Sequence, residues 1–359
     1  LQNQRVEKMS DKHIDPSVCS DFIAAILGRL GAGTPMAQRW AELLVETSLL
    51  GFDTHGICML DRYVKHIQAG GIDLAAEPRI IDDSGSCVRM DGQVGLGHIA
   101  ADEATRIAVD RARQHGISCV TVKNCNHVGA CGIYARQVAA QDCIGICSAV
   151  SKAGIAPWGG KQAILGLNVV AIAAPIAGKA DFLLDIAMSR TAMGRITRAL
   201  DLGQPISDRW ALDADGNPTN DPVEAKHGTL LPIGEHKGYG LAMAVEMLAV
   251  LLGGGKFGYQ ATSWIQRPEE PMGQSFMAIV IDIRRFVEPD EFKSRLQVWA
   301  ELLTNSPTRD GFERIYYPGE IEAETYARRM AEGIPIDSYT QDMFKGLAEQ
   351  FGVEVPQSD

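Results

Sequence analysis

Two short polar segments each carry a histidine among residues able to tune it. In Asp53-Thr54-His55-Gly56 a carboxylate and a hydroxyl stand close to His55 in sequence. Such neighbours fix an imidazole's tautomer and raise its basicity, as a general acid for carbonyl reduction requires. The same Asp-x-His spacing also makes a plain turn. In Asn124-Cys125-Asn126-His127-Val128-Gly129, His127 lies between the end of a strand-like run and the start of a helical one. Ligands collect at that position in open α/β sheets, although a helix-capping or surface histidine fits the local sequence as well.

Two glycine-rich segments invite a nucleotide. Gly234-Glu235-His236-Lys237-Gly238-Tyr239-Gly240 opens a long helical pattern, and backbone amides at a helix start together with Lys237 would suit a phosphate. A solvated turn is the alternative, and the Walker pattern is absent. Gly95-Leu96-Gly97-His98-Ile99-Ala100 resembles a dinucleotide fingerprint, but the following strand leads into Lys123-Asn124-Cys125 rather than the acidic residue that would hold ribose hydroxyls. These glycines read as permitting a tight strand-to-helix turn. No His-x-x-x-His or clustered carboxylates suggest a metal, so none is expected.

The elements that must position these groups follow from periodicity. Thr34 as N-cap and Pro35 start a helix carrying Met36, Trp40, Leu43, Leu44 and Thr47 at helical spacing, and Gly51 stops it. A second apolar series, Ile57, Leu60, Tyr63, Val64 and Ile67, runs to Gly70-Gly71, which puts His55 at a helix-to-helix junction. From about residue 76 short strands and helices alternate: strand Cys87 to Met90, helix Ile99 to His115 closed by Gly116, strand Ile117 to Val122, helix Gly132 to Gln141, strand Ile144 to Val150. This βαβαβ run predicts a layered α/β domain with parallel pairs. Strands at Val169 to Ala174 and Phe276 to Ile283 flank a helix from Gly238 to Leu252, and beyond Pro289 the chain turns helical and polar, with a tail able to pack on the amino-terminal helices.

With 359 residues the chain can bury a substantial core. A formal charge of -11, with no dense Lys/Arg run, argues against nucleic acid as a partner. The apolar stretches Leu165 to Ala177 and Leu241 to Leu252 fall short of the roughly 20 residues a spanning helix needs and read as core elements. Cys19, Cys58, Cys87, Cys119, Cys125, Cys131, Cys143 and Cys147 form no C-x-x-C pair and read as buried reduced thiols. Without a signal-like amino terminus the chain reads as cytoplasmic, and Leu1 to Lys8 ahead of Met9 as an appended stretch.

Taken in order, several segments resemble the malate/L-lactate dehydrogenase-like oxidoreductases: Gly51 to Gly56, Asn124 to Gly129, Pro157-Trp158-Gly159-Gly160, Leu165-Gly166-Leu167-Asn168, Leu184 to Ser189, Glu235 to Gly240, and Pro318-Gly319-Glu320. The resemblance spans roughly Thr47 to Glu320. It implies interconversion of a small 2-hydroxy acid and its 2-oxo acid by an NAD-dependent enzyme, NADP being possible. It further implies an α/β, non-Rossmann, mixed-sheet NAD(P)-binding domain (76–287), a helical domain formed by the two chain ends (1–75 with 288–359), and a homodimer. By position, His55 becomes the proton donor with Thr54 orienting it, and His127 shares that candidacy. His127, Val128, Gly129, Ala130, Cys131, Ser151, Asp185, Ile186, Ala187, His236 and Lys237 match segments that hold the nicotinamide cofactor.

Three departures bear on the substrate. Relatives often carry arginine at the position of Met59 and threonine at that of Leu167, both substrate contacts, so a desolvated carboxylate lacks two expected partners. Imine reductases of this family place an acidic residue where this chain has Arg195, which argues against a cyclic-imine substrate. Arg195, or Arg62 one turn beyond Met59, supplies the missing cation, and Met59 and Leu167 favour a hydrophobic substrate side chain. A cyclic-imine reductase and a non-catalytic nucleotide-binding protein are the alternatives.

Overall fold

A computed structural model describes residues 12–357, apart from the side chain of Asp201. The leading stretch Leu1 to Lys8 lies outside them. The chain enters through a short strand β1 (His13–Ile14), then helices α1 (Pro16–Arg29) and α2 (Thr34–Leu49), two 3₁₀ turns (Asp53–His55 and Ile57–Met59), and α3 (Leu60–Gln68). Asp15 caps α1 by accepting from the amides of Ser17 and Val18. The cap of α2 is Gly33, so Thr34 lies inside the first turn rather than before it.

Strands β2 (Arg79–Asp83) and β3 (Cys87–Asp91) follow, then α4 (Gly97–His115), β4 (Ile117–Cys125), α5 (Cys131–Ala139) and β5 (Cys143–Val150). Next come β6 (Ala153–Ile155), β7 (Leu165–Gly166), β8 (Val169–Ala174), β9 (Phe182–Ile186), α6 (Met193–Asp201), β10 (Ala211–Leu212), α7 (Pro222–His227), β11 (Thr229–Leu230) and α8 (His236–Glu246). The chain closes with β12 (Gln274–Asp282), α9 (Pro289–Thr304), α10 (Glu320–Glu332), β13 (Ile334–Pro335) and α11 (Ser338–Phe351).

The main sheet is mixed, in the order β2-β3-β4-β12-β5-β8-β9. The expected parallel pairing holds for β3 and β4, but β4 and β5 are not neighbours. The late strand β12 inserts between them and runs antiparallel to both. All three are rich in β-branched and small apolar residues suited to a strand covered on both faces. The smaller sheet β10-β11-β6-β7 carries the 150–230 region, and β1 pairs with β13.

Helices α4 and α5 cover one face of the main sheet through Ala101, Ala104, Ala108, Ile133, Tyr134 and Val138. Small residues on α4 let it lie close to the strands. A second cluster joins the two chain ends: Phe22, Ile26, Trp40, Leu44, Leu60 and Tyr63 pack with Ile334, Phe344 and Leu347. Helix α9 instead packs through Leu296 and Ala300 on Ile176, Phe182 and Tyr317.

Several expectations are corrected. The apolar stretch from Leu165 divides into β7 and β8. The helix expected to run to Leu252 is α8 followed by a π-helical turn, Met247–Leu251, and it exposes Leu241, Met243, Met247, Leu251 and Leu252 rather than burying them. All eight cysteines are free; five are buried, but Cys87 is exposed and Cys58 and Cys119 are partly so. Among the described residues no helix is long and apolar enough to cross a membrane.

Candidate functional site

The His55 turn is built from its neighbours' constraints. Helix α2 ends at Leu49 with Leu50 as its cap, and Gly51 takes a left-handed φ of 82° that glycine adopts without a Cβ clash. The next glycine is required for space, since a Cβ on Gly56 would lie 2.1 Å from Ser48 Oγ. That hydroxyl accepts from the Ile57 amide at 3.0 Å. The Thr54 hydroxyl is 2.9 Å from His55 Nδ1, the contact expected from the sequence.

His127 enters from the carboxyl end of β4, and the residue before it secures the loop. Asn126 is 1% exposed; its amide nitrogen donates to the carbonyls of Gly71, Val94 and Gly95 and its oxygen accepts from the Met272 amide. One side chain thus ties together four segments distant in sequence. A Cβ on Gly97 would sit 2.2 Å from the Asn126 carbonyl oxygen, so that glycine serves close packing of α4 against the His127 loop. This accounts for the Gly95 to Ala100 motif without a phosphate.

The fold brings the two histidines together. Their rings stack with centroids 5.5 Å apart, and Trp264 also stacks on His127 at 5.0 Å. Tyr63 Oη lies 2.6 Å from His127 Nδ1. Burial lowers the pKa of His55, and it drives that of His127 well down, helped by the charges of His55, His98 and Arg62. Both imidazoles are therefore neutral at physiological pH, with His55 the less perturbed of the two.

The remaining candidates fall into distinct positions. Arg62 is exposed on α3 and its charge bears on His127. Arg195 is exposed near the start of α6, and the preceding residue closes on the His55 turn, a Cβ on Gly194 falling 3.6 Å from Thr54 Cγ2. Leu167 packs against the apolar cluster that includes Ile196 of α6. Met59 is 7% exposed and belongs to the cluster of the chain-end helices. Ser151 accepts from the Leu167 amide at 3.1 Å, which orients the 165–168 segment.

Val128, Ala130 and Cys131 turn their side chains inward, leaving backbone as their means of contact. Gly129 has φ 75°, and a Cβ there would lie 2.6 Å from His98 Nε2. The Gly132 amide, at the start of α5, donates to Asp185 Oδ2 at 2.7 Å, beside Ile186 and Ala187 at the end of β9. Burial raises Asp185 to about 7, outweighing that hydrogen bond. His236 and Lys237 are exposed at the start of α8, tied to the 185–189 run by the Ile233 amide donating to the Met188 carbonyl at 2.8 Å. Among the described residues no group of His, Cys, Asp and Glu could hold a metal.

Several participants were not singled out from sequence. Tyr63 and Trp40 occupied apolar helical positions and read as core, and His98 sat inside the glycine motif. A signal existed in their types: buried Tyr and Trp keep a polar end that must find a partner. Arg329, far along the chain on α10, gave none.

A mixed α/β sheet that stacks two neutral histidines suits an oxidoreductase, and comparison with known proteins agrees. A family model described as malate/L-lactate dehydrogenase matches residues 14–345. The chain belongs to the malate/L-lactate dehydrogenase family. It is 34% identical to L-sulfolactate dehydrogenase of Methanocaldococcus jannaschii over 93% of this chain and 96% of that protein. It is 35% identical to malate dehydrogenase of Pyrococcus abyssi, over 93% of each. The solved structure of the M. jannaschii sulfolactate dehydrogenase superposes with a TM-score of 0.89 at 33% identity, covering 96% of this chain and 98% of that one.

Proposed function

We propose that the protein interconverts a 2-hydroxy acid bearing an apolar side chain and its 2-oxo acid, with NAD or NADP as hydride partner. The observation that carries this reading is the stacked, neutral pair His55 and His127, 5.5 Å apart. When bound, the nicotinamide supplies the hydride acceptor or donor for the carbinol carbon.

The residues present suit such a group. The glycines at 129 and 132 allow close approach at the start of α5, where backbone amides favour an anion. Asp185 uses Oδ2 on the Gly132 amide and keeps Oδ1 for a sugar hydroxyl. His127 to Cys131, Asp185 to Ala187, and His236 with Lys237 would hold the cofactor, and Ser151 contributes by fixing Leu167. The sheet's parallel pairing is confined to β3 and β4, which supports a cofactor site unlike the Rossmann crevice. We take 76–287 as the cofactor- and substrate-binding domain and 1–75 with 288–359 as the helical one.

In the oxidation direction, neutral His55 accepts the hydroxyl proton as hydride leaves the carbon, and in reduction the protonated imidazole returns it to the developing alkoxide. Thr54 accepts from His55 Nδ1–H and so leaves the Nε2 lone pair for the substrate. His127 lies close enough to share the substrate oxygen. Arg62, which makes no ion pair or hydrogen bond among the described residues, is the first candidate for the carboxylate; Arg195 on α6 is the second. Leu167 against α6 favours an apolar side chain.

The apolar residues left exposed along α8 and its π-turn, Leu241, Met247, Leu251 and Leu252, support a homodimer. Eight unpaired thiols suit the reducing cytoplasm.

The test is His55→Ala assayed by NADH and NADPH oxidation with pyruvate, oxaloacetate, phenylpyruvate and piperideine-2-carboxylate. Turnover should fall at least about a hundredfold with cofactor affinity retained. Near-normal turnover removes His55 from the chemistry. Reduction of the cyclic imine alone would place the protein among imine reductases, and cofactor binding without turnover would make it a nucleotide-binding protein.

A further inference from the structure

Behind His127 runs a line of buried polar groups that the proposed proton transfer at His55 does not use. Trp40 and His98 are 0% exposed and Tyr63 is 1% exposed. The Trp40 indole nitrogen lies 3.1 Å from His98 Nδ1, His98 Nε2 lies 3.5 Å from Tyr63 Oη, and Tyr63 Oη lies 2.6 Å from His127 Nδ1. The rings lock one another: Trp40 meets Tyr63 edge-on at 5.1 Å and Tyr63 meets His98 at 5.3 Å. Gly129 is part of the same arrangement, because any side chain there would strike His98 Nε2.

The direction of every hydrogen in this line follows from its first member. An indole N–H donates and cannot accept, so His98 Nδ1 is an acceptor and carries no hydrogen. Burial, and after it the charge of His55, pushes the His98 pKa down to about 3, which keeps the ring neutral with its single hydrogen on Nε2. The group within reach of that hydrogen is Tyr63 Oη. A phenol that accepts from His98 then has His127 Nδ1 as the target for its own proton. His127 is itself neutral, so its hydrogen is placed on Nε2.

We propose that Trp40 is a positioning residue which, through His98 and Tyr63, locks His127 in the Nε2–H tautomer, so that His127 meets the substrate oxygen as a hydrogen-bond donor rather than as a base. The inference rests on the proposed hydroxy-acid chemistry for its consequence, and on the buried line alone for the tautomer. It divides the labour between the two histidines. His55 moves the proton and His127 polarises the carbonyl oxygen or steadies the alkoxide.

The tautomers are read directly by long-range nitrogen–proton correlation on the full-length protein labelled with ¹⁵N-histidine, with signals assigned from His98→Gln and His127→Gln. The wild type should show the hydrogens of His98 and His127 on Nε2. Trp40→Phe keeps a buried ring and deletes the N–H. It should release His98 to the Nδ1–H form, convert His127 to a mixture of tautomers, and lower kcat about tenfold or more with KM and cofactor affinity within about twofold. A His127 hydrogen on Nδ1 in the wild type overturns the proposal, as does an unchanged His127 tautomer in Trp40→Phe. If that variant does not fold, Tyr63→Phe cuts the line one link later, and a His127 locked on Nε2 there also overturns it. Expected tautomers in a protein silent toward every oxo acid would defeat the functional reading and leave the relay standing, whereas an active enzyme with the wrong tautomer defeats the relay alone.

Discussion

Arg329 and Asp53, separated by 276 positions in the chain, form a paired contact that holds the His55 turn to helix α10. Arg329 Nη1 lies 2.5 Å from Asp53 Oδ1 and Nη2 lies 3.1 Å from Oδ2, and Nη1 also donates to the Ser48 carbonyl. The exposures are unequal: the arginine side chain is 2% exposed and the aspartate 52%. Losing a carboxylate contact costs a buried charge more than losing a cation contact costs an exposed one, which is rehydrated. Asp53→Asn should therefore lower stability more than Arg329→Met, by about 1 kcal/mol or more, in urea unfolding of the two variants. Both should reduce turnover, since each loosens the turn that carries Thr54 and His55. Equal stability losses would mean that the pair's energy does not follow its burial.

With His55 as the proposed base, the acid limb of the oxidation rate should report on it. Its pKa is lowered by burial, so the neutral base persists below the ordinary histidine range. For hydroxy-acid oxidation kcat/KM should hold level down past about pH 6.5 and fall only beneath it. Stability carries the same sign: an imidazole depressed in the folded state binds fewer protons than in the unfolded chain, so stability drops as pH falls through that range. An acid limb centred above about pH 7 would contradict the assignment of His55 as base.

Much of this site could be read from the residues themselves, and the unread part has a physical cause. Both histidine segments, the junction at Gly51 and strand β8 are local features, set by helix stops and alternation. What joins them is not local. The insertion of β12 between β4 and β5 depends on pairing across more than a hundred residues, and a βαβαβ pattern looks the same whether its strands touch or are parted by a latecomer. Trp40 and Tyr63 occupy ideal core positions on their helices, so periodicity alone counts them as packing. Arg329 resembles any helical arginine until the fold buries it.

Asp185 offers a second pH dependence of opposite sign. Its folded pKa stands at about 7 against 3.8 for the unperturbed group, chiefly through burial. The protonated form is favoured in the fold, so this contribution to stability is complete below the unfolded value and is lost as pH rises toward and through about 7. Asp185→Asn, isosteric and uncharged, should flatten the fall in urea midpoint between about pH 5 and about pH 8. An identical slope in wild type and variant would show that the carboxyl ionises freely.

Leu167 tests the substrate. It packs against the apolar cluster that includes Ile196 of α6, the helix that also carries Arg195, and its amide is held by Ser151. Leu167→Thr keeps that amide contact, removes apolar volume and introduces a hydroxyl within reach of whatever α6 faces. A pocket that discriminates by methylene-sized contacts changes its preference by about 10–200-fold. The variant should accordingly raise the kcat/KM ratio of oxaloacetate over phenylpyruvate by about tenfold or more, with most of the change coming from lost turnover of phenylpyruvate. The alternative outcome, a uniform loss on both substrates, would mean that Leu167 supports the position of α6 without touching the substrate.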